Sequence, residues 1–424
     1  MSQNHSEVVI TGVGPVVPIG FGREAFWAGL AAGRCGVQTR VLPADLGRMV
    51  ELPVSSMPPA DQVPGFERHA AFLAEQGCAA NRDLGYTLLA AELALQDAGI
   101  AYDRDQNDIG VVQVFEAPGL ERTVGHIFEL LAMMPPPTDG PPPVYDALAT
   151  DFYSMQPFLY VHLLGKALGV RGFSTSVHNA CSSGAFALEV AAQRVRAGLA
   201  DVMVVAGGEA FETAVRMEWF RRLELYAHDG CMRPFASKPS GFCVGEGAAA
   251  IVVESAAHAA RRGAEPYAAY LGGGFAQQGW KQVLPDLRAA RLRDVICDAL
   301  RVAKTPPSEL DLIMPHGACT SLSDGYEAAC LEDALGGEAD RAVATALKPH
   351  FGHLLATSGL IEIVVAMLAV KHQTVPATLN AAGEQSVLPV PLVSEAVSRP
   401  IEAVLKLSTG FTGHDAASVF RRVE

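Results

Sequence analysis

Short runs of β-branched and aliphatic residues alternate with helical patterns along this 424-residue chain. Helical periodicity is predicted at Tyr86 to Ala98, Ser183 to Ala197, Leu287 to Ala303 and Tyr326 to Leu335. Buried strands are predicted at Val8 to Thr11, Ile109 to Val114, Val202 to Ala206, Ala248 to Glu254 and Leu310 to Met314. This alternation predicts an α/β fold with mostly buried sheets.

Length and net charge limit the number of domains and the kinds of binding partner that we expect. A chain of 424 residues exceeds one typical core, so one large domain or two fused domains are expected. The formal net charge of −14 argues against non-specific nucleic-acid binding. Local basic pairs such as Arg221 and Arg222 could still attract an acidic partner protein.

The sequence favours a soluble, cytoplasmic protein without a membrane partner. The first seven residues are polar, and no stretch reaches about 18 apolar residues without a polar or charged interruption. None of the 8 cysteines forms a C-x-x-C pair, so neither a zinc site nor a redox motif is indicated. We therefore expect no metal ion and no resident cofactor.

The segment Val177 to Gly184 places Cys181 between a β-leaning run and a long helical pattern. A thiol at such a turn sits near a helix N-terminus, where free N–H groups and the helix dipole favour its thiolate. The turn's N–H groups can also face a developing oxyanion. Cys181 is therefore our candidate nucleophile.

Two distant histidines are candidate partners of this thiol. His316 follows the apolar run Leu310 to Ile313, and His353 lies five residues after Lys348, just before the apolar run Leu360 to Val370. Nucleophilic thiol sites are commonly built from groups that meet in space although they lie far apart in the chain.

These motifs resemble those of the β-ketoacyl-acyl-carrier-protein synthases of the synthase II-like branch, within the thiolase superfold. The resemblance covers nearly the whole chain, from Val8 to Ala416. It rests on five ordered motifs: Ala180-Cys181-Ser182-Ser183-Gly184, the glycine-rich segment from Gly241 to Ala248, His316-Gly317 with Asp324 and Glu327, Lys348 with Gly352-His353, and the terminal loop from Gly410 to Ala416. Each motif alone is weak, but their order is specific.

The resemblance implies a thiolase-like fold with two related α/β halves in a five-layered αβαβα architecture. The first half, residues 1–255, would carry the nucleophile, and the second, residues 256–424, would carry both histidines. The implied reaction is a decarboxylative Claisen condensation of an acyl thioester with malonyl-acyl-carrier protein. The implied partners are an acyl carrier protein, with phosphopantetheine-bound acyl and malonyl groups, and a second subunit in a homodimer or ketosynthase-like heterodimer.

The resemblance also assigns roles to single residues. Cys181 would carry the acyl group, and His316 and His353 would stabilise the enolate. Lys348 would supply a fixed positive charge with Glu327 as its ionic partner, and Asp324 would support the site. Phe411 would be an aromatic gate and would contribute, with Cys181, a backbone N–H to the oxyanion site. Thr320 would line the phosphopantetheine channel. Arg221 and Arg222 would dock the carrier protein.

Several positions depart from the family pattern. Ala318 replaces one of two channel threonines, Asn179 stands where a threonine is usual, and His414-Asp415 replace threonine-asparagine. The segment Pro234 to Pro239 lacks the usual aspartate and arginine. We read His178, His350 and His414 as structural or pocket-lining. These departures favour a specialised polyketide or unusual fatty-acyl pathway over housekeeping fatty-acid synthesis.

Three other readings stay open at this point. The first is a chain-length-factor-like partner subunit, which typically lacks the nucleophile that Cys181 supplies here. The second is a thiolase-fold acyltransferase without decarboxylation, and a Cys-His hydrolase is the third. The proline-rich segment 133–145 is expected to be a surface excursion that caps the entrance, extends a dimer interface or is a passive loop.

Overall fold

The computed structural model describes residues 7–45, 47–79, 81–101, 109–133, 151–152, 155–238 and 240–423. Its strands are β1 Val8–Val17, β2 Gly20–Phe21, β3 Val37–Asp45, β4 Arg48–Ser55, β5 Gly110–Val114, β6 Ser174–Val177, β7 Val202–Glu209, β8 Gly247–Ser255, β9 Ala268–Gln277, β10 Leu312–Met314, β11 Val343–Ala344, β12 Thr374–Val375, β13 Val397–Ser398, β14 Ala403–Gly410 and β15 His414–Arg421.

The α-helices lie between these strands. They are α1 Arg23–Ala31, α2 Phe66–Glu75, α3 Arg82–Asp97, α4 Leu120–Met133, α5 Pro157–Leu168, α6 Ser183–Arg196, α7 Val215–Arg222, α8 Ala256–Arg261, α9 Arg291–Ala303, α10 Ser321–Leu335, α11 Lys348–Phe351 and α12 Ser358–His372. Short 3₁₀ turns occur at Ala60–Gln62, Pro307–Glu309, Leu355–Thr357 and Phe411–Gly413.

The strand order contains an internal repeat. The path β1-β8-β7-β5-β6 is joined by two antiparallel and then two parallel pairings. The path β9-β15-β14-β10-β11 has the same sequence of two antiparallel and two parallel pairings. A short pairing of β1 with β9, at Val9 with Ala269 and Ile10 with Ala268, joins the two paths. We call them the first and second strand sets.

Two helices lie between the strand sets. Helix α6 packs on β5 and β7 of the first set and also contacts β9 and β15 of the second, while α12 contacts β1 and β8 as well as β14. Helix α3 covers the first set on its other side, and α9 covers β9 and β15. These layers confirm the expected five-layered thiolase-like architecture, whereas the boundary between residues 255 and 256 stays a prediction.

All nine strands and helices named from the sequence are present; five are longer than predicted and four are shorter. Strand β1 continues six residues beyond Thr11 to Val17, and α10 begins at Ser321 rather than Tyr326. Helix α9 begins at Arg291, later than the predicted Leu287. Met133 ends α4, and the rest of the proline-rich segment, 134–145, lies outside the described residues.

One helical stretch has the length and composition of a membrane span. It is Leu355–His372, which is 89% buried inside the fold. Every residue from Ser358 to Val370 in α12 is buried, because this helix lies between the two strand sets. Its apolar surface is thus explained by the central layer of the core.

Candidate active site

The candidate nucleophile lies on a tight turn between β6 and α6. The backbone N–H of Asn179 donates to Ser183 Oγ at 2.8 Å, and this hydroxyl donates to the Ala180 carbonyl at 2.6 Å. Ala180 has a positive φ of 48°, a conformation that costs energy for a residue with a side chain. The strained turn places Cys181 directly before the first turn of α6.

Two glycines allow other segments to approach this turn. A Cβ atom on Gly184 would lie 2.5 Å from the Leu360 backbone nitrogen, so α6 and α12 meet here at backbone distance. A Cβ atom on Gly410 would lie 3.0 Å from the Asn179 carbonyl oxygen and 3.2 Å from the Cys181 nitrogen. The end of β14 therefore packs directly against the nucleophile turn.

The structure brings both predicted histidines to the thiol. His316 follows β10, and His353 follows α11. One ring nitrogen of each histidine and the Cys181 sulfur all lie within 4.8 Å of one another, and all three residues are buried. The two imidazole ring centroids are 5.3 Å apart and the rings are steeply inclined.

Hydrogen bonds assign the proton on each imidazole. The Leu355 backbone N–H donates to His353 Nδ1 at 3.1 Å, and Ser358 Oγ lies 2.7 Å from the same nitrogen. His316 Nδ1 lies 3.3 Å from the Lys348 ammonium, which can only donate. Both Nδ1 atoms are therefore acceptors, so a neutral ring carries its proton on Nε2.

Both imidazoles are neutral near pH 7. Burial lowers the pKa of His316 well below its ordinary value, and the Lys348 charge lowers it further. Burial, followed by the Lys348 charge, has the same effect on the pKa of His353. The pair can thus present two Nε2–H donors without carrying positive charge.

The positive charge of the site is held by a buried network. Lys348 Nζ lies 2.8 Å from Glu362 Oε1, and Lys406 Nζ lies 2.8 Å from Glu362 Oε2. Lys348 also donates to the His316 carbonyl oxygen. One carboxylate on α12 therefore joins a lysine of α11 to a lysine of β14.

This network corrects one prediction from the sequence. Glu327 is not the carboxylate at ion-pairing distance from Lys348; it accepts the backbone N–H groups of His316 at 2.5 Å and Gly317 at 2.9 Å. Glu362 and Lys406 were missed, although each is a lone charge in an apolar run, which is a readable signal of a buried partner.

Asp324 and Glu327 act on the backbone around His316. Asp324 accepts the Phe235 N–H at 2.7 Å, and burial raises the pKa of Asp324 to about 7. Burial also raises the pKa of Glu327. Both carboxyl groups lie on α10 and hold neighbouring segments in place, as expected of supporting residues.

The surroundings of Cys181 oppose the thiolate more than its helix position suggests. Burial raises the pKa of the Cys181 thiol, and the charge of Glu116 raises it further, whereas the Lys348 charge lowers it. In the free protein, burial outweighs the effect of the α6 N-terminus, which was expected to favour the thiolate. The thiol is therefore protonated.

The cluster opens into a cavity of about 830 Å³. Thr320 and Ala318 line it, as does Phe411, whose ring packs against Trp219 and Phe220. Arg221 and Arg222 are exposed at the end of α7, between the cavity-lining Phe220 and Leu223. The predicted gate, channel and docking residues therefore all lie along this cavity or beside it.

Two departures from the family pattern contact each other. Asn179 Nδ2 lies 3.1 Å from His414 Nδ1, and Ser182 Oγ donates to the His414 carbonyl at 2.6 Å. His350 has ring nitrogens 2.9 Å from the carbonyls of Arg34 and Ala377, and His178 packs edge-on against Phe115. These contacts agree with structural or pocket-lining roles for the three histidines.

Cys181, His316 and His353 each also offer one atom of a kind that binds zinc. The Lys348 ammonium 3.3 Å from His316 Nδ1 would oppose a nearby cation, and the same donors suit thiol chemistry. The arrangement therefore supplies a nucleophile and two neutral N–H donors in one cavity, with a buried positive charge beside His316.

Two models of one protein family match most of the chain. The model described as "Beta-ketoacyl synthase, N-terminal domain" matches residues 5–259, and "Beta-ketoacyl synthase, C-terminal domain" matches residues 267–382. A 3-oxoacyl-[acyl-carrier-protein] synthase 2 of Rhizobium meliloti is 29% identical over 98% of each chain. A Streptomyces rimosus protein named as an oxytetracycline polyketide beta-ketoacyl synthase 1 is 28% identical over 99% of this chain and 98% of its own.

Solved structures agree on the fold. A beta-ketoacyl synthase from Burkholderia phymatum superposes with a TM-score of 0.81 at 24% identity, over 99% of this chain and 100% of its own. A type II polyketide synthase ketosynthase, in complex with its acyl-carrier protein, gives 0.82 at 24% identity over 99% and 100%.

Proposed function

The chain belongs to the β-ketoacyl synthase family, and we propose that it joins an acyl group to a malonyl-derived carbanion at Cys181. The observation that carries this proposal is the buried cluster of Cys181, His316 and His353, whose reactive atoms lie within 4.8 Å of one another. This set combines a covalent acyl site with donors for a second, anionic intermediate.

The first step is acyl transfer to the thiol. Cys181 sulfur attacks the carbonyl of an acyl thioester on an acyl carrier protein, and the carbon–sulfur bond to the carrier breaks. The proton of the Cys181 thiol ends on the released carrier thiol. The Cys181 and Phe411 backbone N–H groups are our candidates for the oxyanion site, which is supported by the close packing of Gly410 against the turn.

The second step is decarboxylation of a malonyl thioester on the carrier. The electrons of the broken carbon–carboxylate bond move into an enolate, and carbon dioxide leaves. His316 and His353 would stabilise the enolate oxygen through their Nε2–H groups, which remain neutral and therefore available as donors.

The third step is carbon–carbon bond formation. The enolate carbon attacks the acyl carbon on Cys181, the carbon–sulfur bond breaks, and the Cys181 thiolate takes a proton from solvent. The product is a β-ketoacyl group on the carrier. Lys348 and its partner Glu362 keep a fixed charge beside His316 throughout the cycle.

The partners follow from the same proposal. Acyl carrier protein would dock near Arg221 and Arg222 and pass its phosphopantetheine arm along Thr320. The protein would be a two-fold dimer, either homomeric or with a ketosynthase-like subunit, and would work in the cytoplasm. A monomer by light scattering at micromolar concentration, with full condensing activity, would contradict the dimer.

The other functions have less support. A chain-length-factor-like subunit would have no use for a buried thiol beside two histidines, and a simple acyltransferase would not need two neutral N–H donors. A hydrolase would need water at the acyl carbon, whereas Cys181 is only 8% exposed. The departures at Ala318, Asn179 and His414 favour a specialised acyl or polyketide pathway.

The test uses the purified full chain, an acyl carrier thioester and malonyl-carrier protein labelled at the free carboxyl carbon. We expect labelled carbon dioxide and a β-ketoacyl-carrier product in equal amounts. Acyl release as free acid without labelled carbon dioxide would overturn the proposal in favour of a hydrolase.

A further inference from the structure

A carboxyl group lines the cavity beside the candidate nucleophile. Glu116 follows β5 and lines the same cavity as Cys181. Strand β5 pairs in parallel with β7, with Val114 opposite Gly207, and this register brings Glu116 to Glu209 at the end of β7. The Glu116 N–H donates to Glu209 Oε1 at 3.0 Å. The Glu209 carboxyl group therefore lies against the Glu116 backbone, and the charges of both residues would raise the pKa of the Cys181 thiol.

The cations nearby do not balance these carboxyl groups. Arg216 lies 3.3 Å from Glu209 Oε2, but it is shared with Glu121, whose Oε1 lies 2.8 Å away. Glu116 Oε2 is buried and has no hydrogen-bond partner among the residues that the structure describes. Burial of Glu116 raises its pKa, and burial raises the pKa of Glu209 to about 8.

An unpartnered carboxyl oxygen in an acyl site is informative because buried polar atoms nearly always have a partner. Because Glu116 Oε2 is already shielded from solvent, a plain alkyl chain in the cavity would leave this oxygen without a partner. A substituent that donates a hydrogen bond would satisfy it. The site is therefore better suited to an acyl chain with a hydrogen-bond donor than to a purely apolar acyl chain.

We propose that Glu116 selects acyl groups that carry an amino or hydroxyl substituent near the thioester. This inference rests on the proposed function, because it assumes that the acyl group occupies the cavity from Cys181. It assigns Glu116 as a specificity-determining residue and narrows the substrate class to substituted acyl chains.

The experiment compares acyl groups that are matched in length on one carrier protein: butyryl, 3-hydroxybutyryl and 3-aminobutyryl. The rate of acyl-adduct formation is followed by intact-protein mass spectrometry. We expect the wild type to load at least one substituted chain roughly tenfold faster than butyryl, as one hydrogen bond to a carboxyl group allows. In Glu116→Leu this preference should vanish while butyryl loading holds or rises.

Two variants keep the result interpretable. Glu116→Gln retains the shape and a hydrogen-bonding amide but cannot carry charge, so it should lose preference for the amine more than for the hydroxyl. Exposed Glu265→Leu is the matched control and should leave the wild-type preference unchanged. If Glu116→Leu does not fold, the test is the ratio of 3-aminobutyryl to 3-hydroxybutyryl loading rates. A lower ratio in Glu116→Gln than in the wild type supports the inference, and an unchanged ratio overturns it.

The outcomes separate this inference from the proposed function. Equal or faster loading of butyryl by the wild type would overturn the inference and leave the condensing function intact. An equal loss with all three substrates in a folded Glu116→Leu would also overturn it. Absence of any adduct, or an adduct that persists in Cys181→Ala, would instead overturn the proposed function.

Discussion

The two strand sets share one strand order but place chemically different groups around Cys181. The first set supplies Glu116 and Glu209 at the ends of β5 and β7. The second set supplies Lys406 from β14 and the neutral ring of His316 after β10, with Lys348 beside it. The second set is suited to stabilise an enolate anion, because it supplies lysines and N–H donors. In the first set, burial raises the pKa values of Glu116 and Glu209, so that environment opposes a negative charge.

The largest effect should come from breaking the lysine network. Glu362→Gln would leave Lys348 and Lys406 buried without their shared carboxylate. We expect the free energy of unfolding, measured in urea, to fall by about 3–5 kcal/mol. The control is Glu309→Gln, whose ion pair with Arg421 is exposed and should contribute at most about 1 kcal/mol. An equal loss of unfolding free energy in the two variants would contradict our view that the buried network stabilises the second strand set.

The next largest effect should be on decarboxylation. His316→Ala and His353→Ala each remove one N–H donor from the enolate site, so carbon dioxide release should slow by a factor on the order of 10²–10³. Acyl loading of Cys181 should change much less. His372→Ala is the control, because this exposed histidine stacks on Trp27 at 4.5 Å. Wild-type carbon dioxide release in either site variant would remove that histidine from the mechanism.

The neutrality of the imidazoles predicts an unusual pH profile. Because the pKa values of His316 and His353 are lowered, both rings stay neutral as the pH falls through the ordinary histidine range. Protonation of the imidazoles should therefore cause no loss of decarboxylation by the acylated protein between about pH 8 and pH 6. A histidine of ordinary pKa would be roughly three quarters protonated at pH 6. A fourfold loss of rate at pH 6 that follows the titration of an ordinary histidine would show that burial and the Lys348 charge do not keep these rings neutral.

The smallest effect should come from the surface at the cavity mouth. Arg221→Glu/Arg222→Glu should lower kcat/KM for carrier-bound substrates by roughly two- to tenfold, with a strong dependence on salt, because exposed charge pairs are individually weak. Short soluble thioesters should be unaffected. Arg301→Glu, an exposed position on α9, is the control. An equal loss with both kinds of substrate would mean that these arginines support the fold.

Local patterns were sufficient to predict an α/β fold and the candidate reacting residues, whereas the five-layered architecture was implied by the family resemblance. Strand and helix periodicity gave β7 and α6 nearly at their observed bounds, since burial on a sheet or helix face leaves a regular mark in the sequence. The ordered motifs identified Cys181, His316 and His353, which the structure brings into one cluster.

Pairings across the fold could not be predicted in the same way. The sequence shows Glu362 within an apolar run, but its two lysine partners are set by how α12 packs against α11 and β14. The incorrect pairing of Lys348 with Glu327 has the same origin, because Glu327 is used by the backbone of His316. Glu116 was missed because no motif marks it; only the register of β5 on β7 brings it to the cavity.

Intact-protein mass spectrometry of the acyl adduct, before and after malonyl-carrier protein is added, tests the central claim most directly. We expect the wild type to gain one acyl mass and Cys181→Ala to gain none. Addition of malonyl-carrier protein should then return the wild type to its original mass as the β-ketoacyl-carrier product forms. An adduct on Cys181→Ala, or a wild-type adduct that leaves only as free acid, would contradict the account.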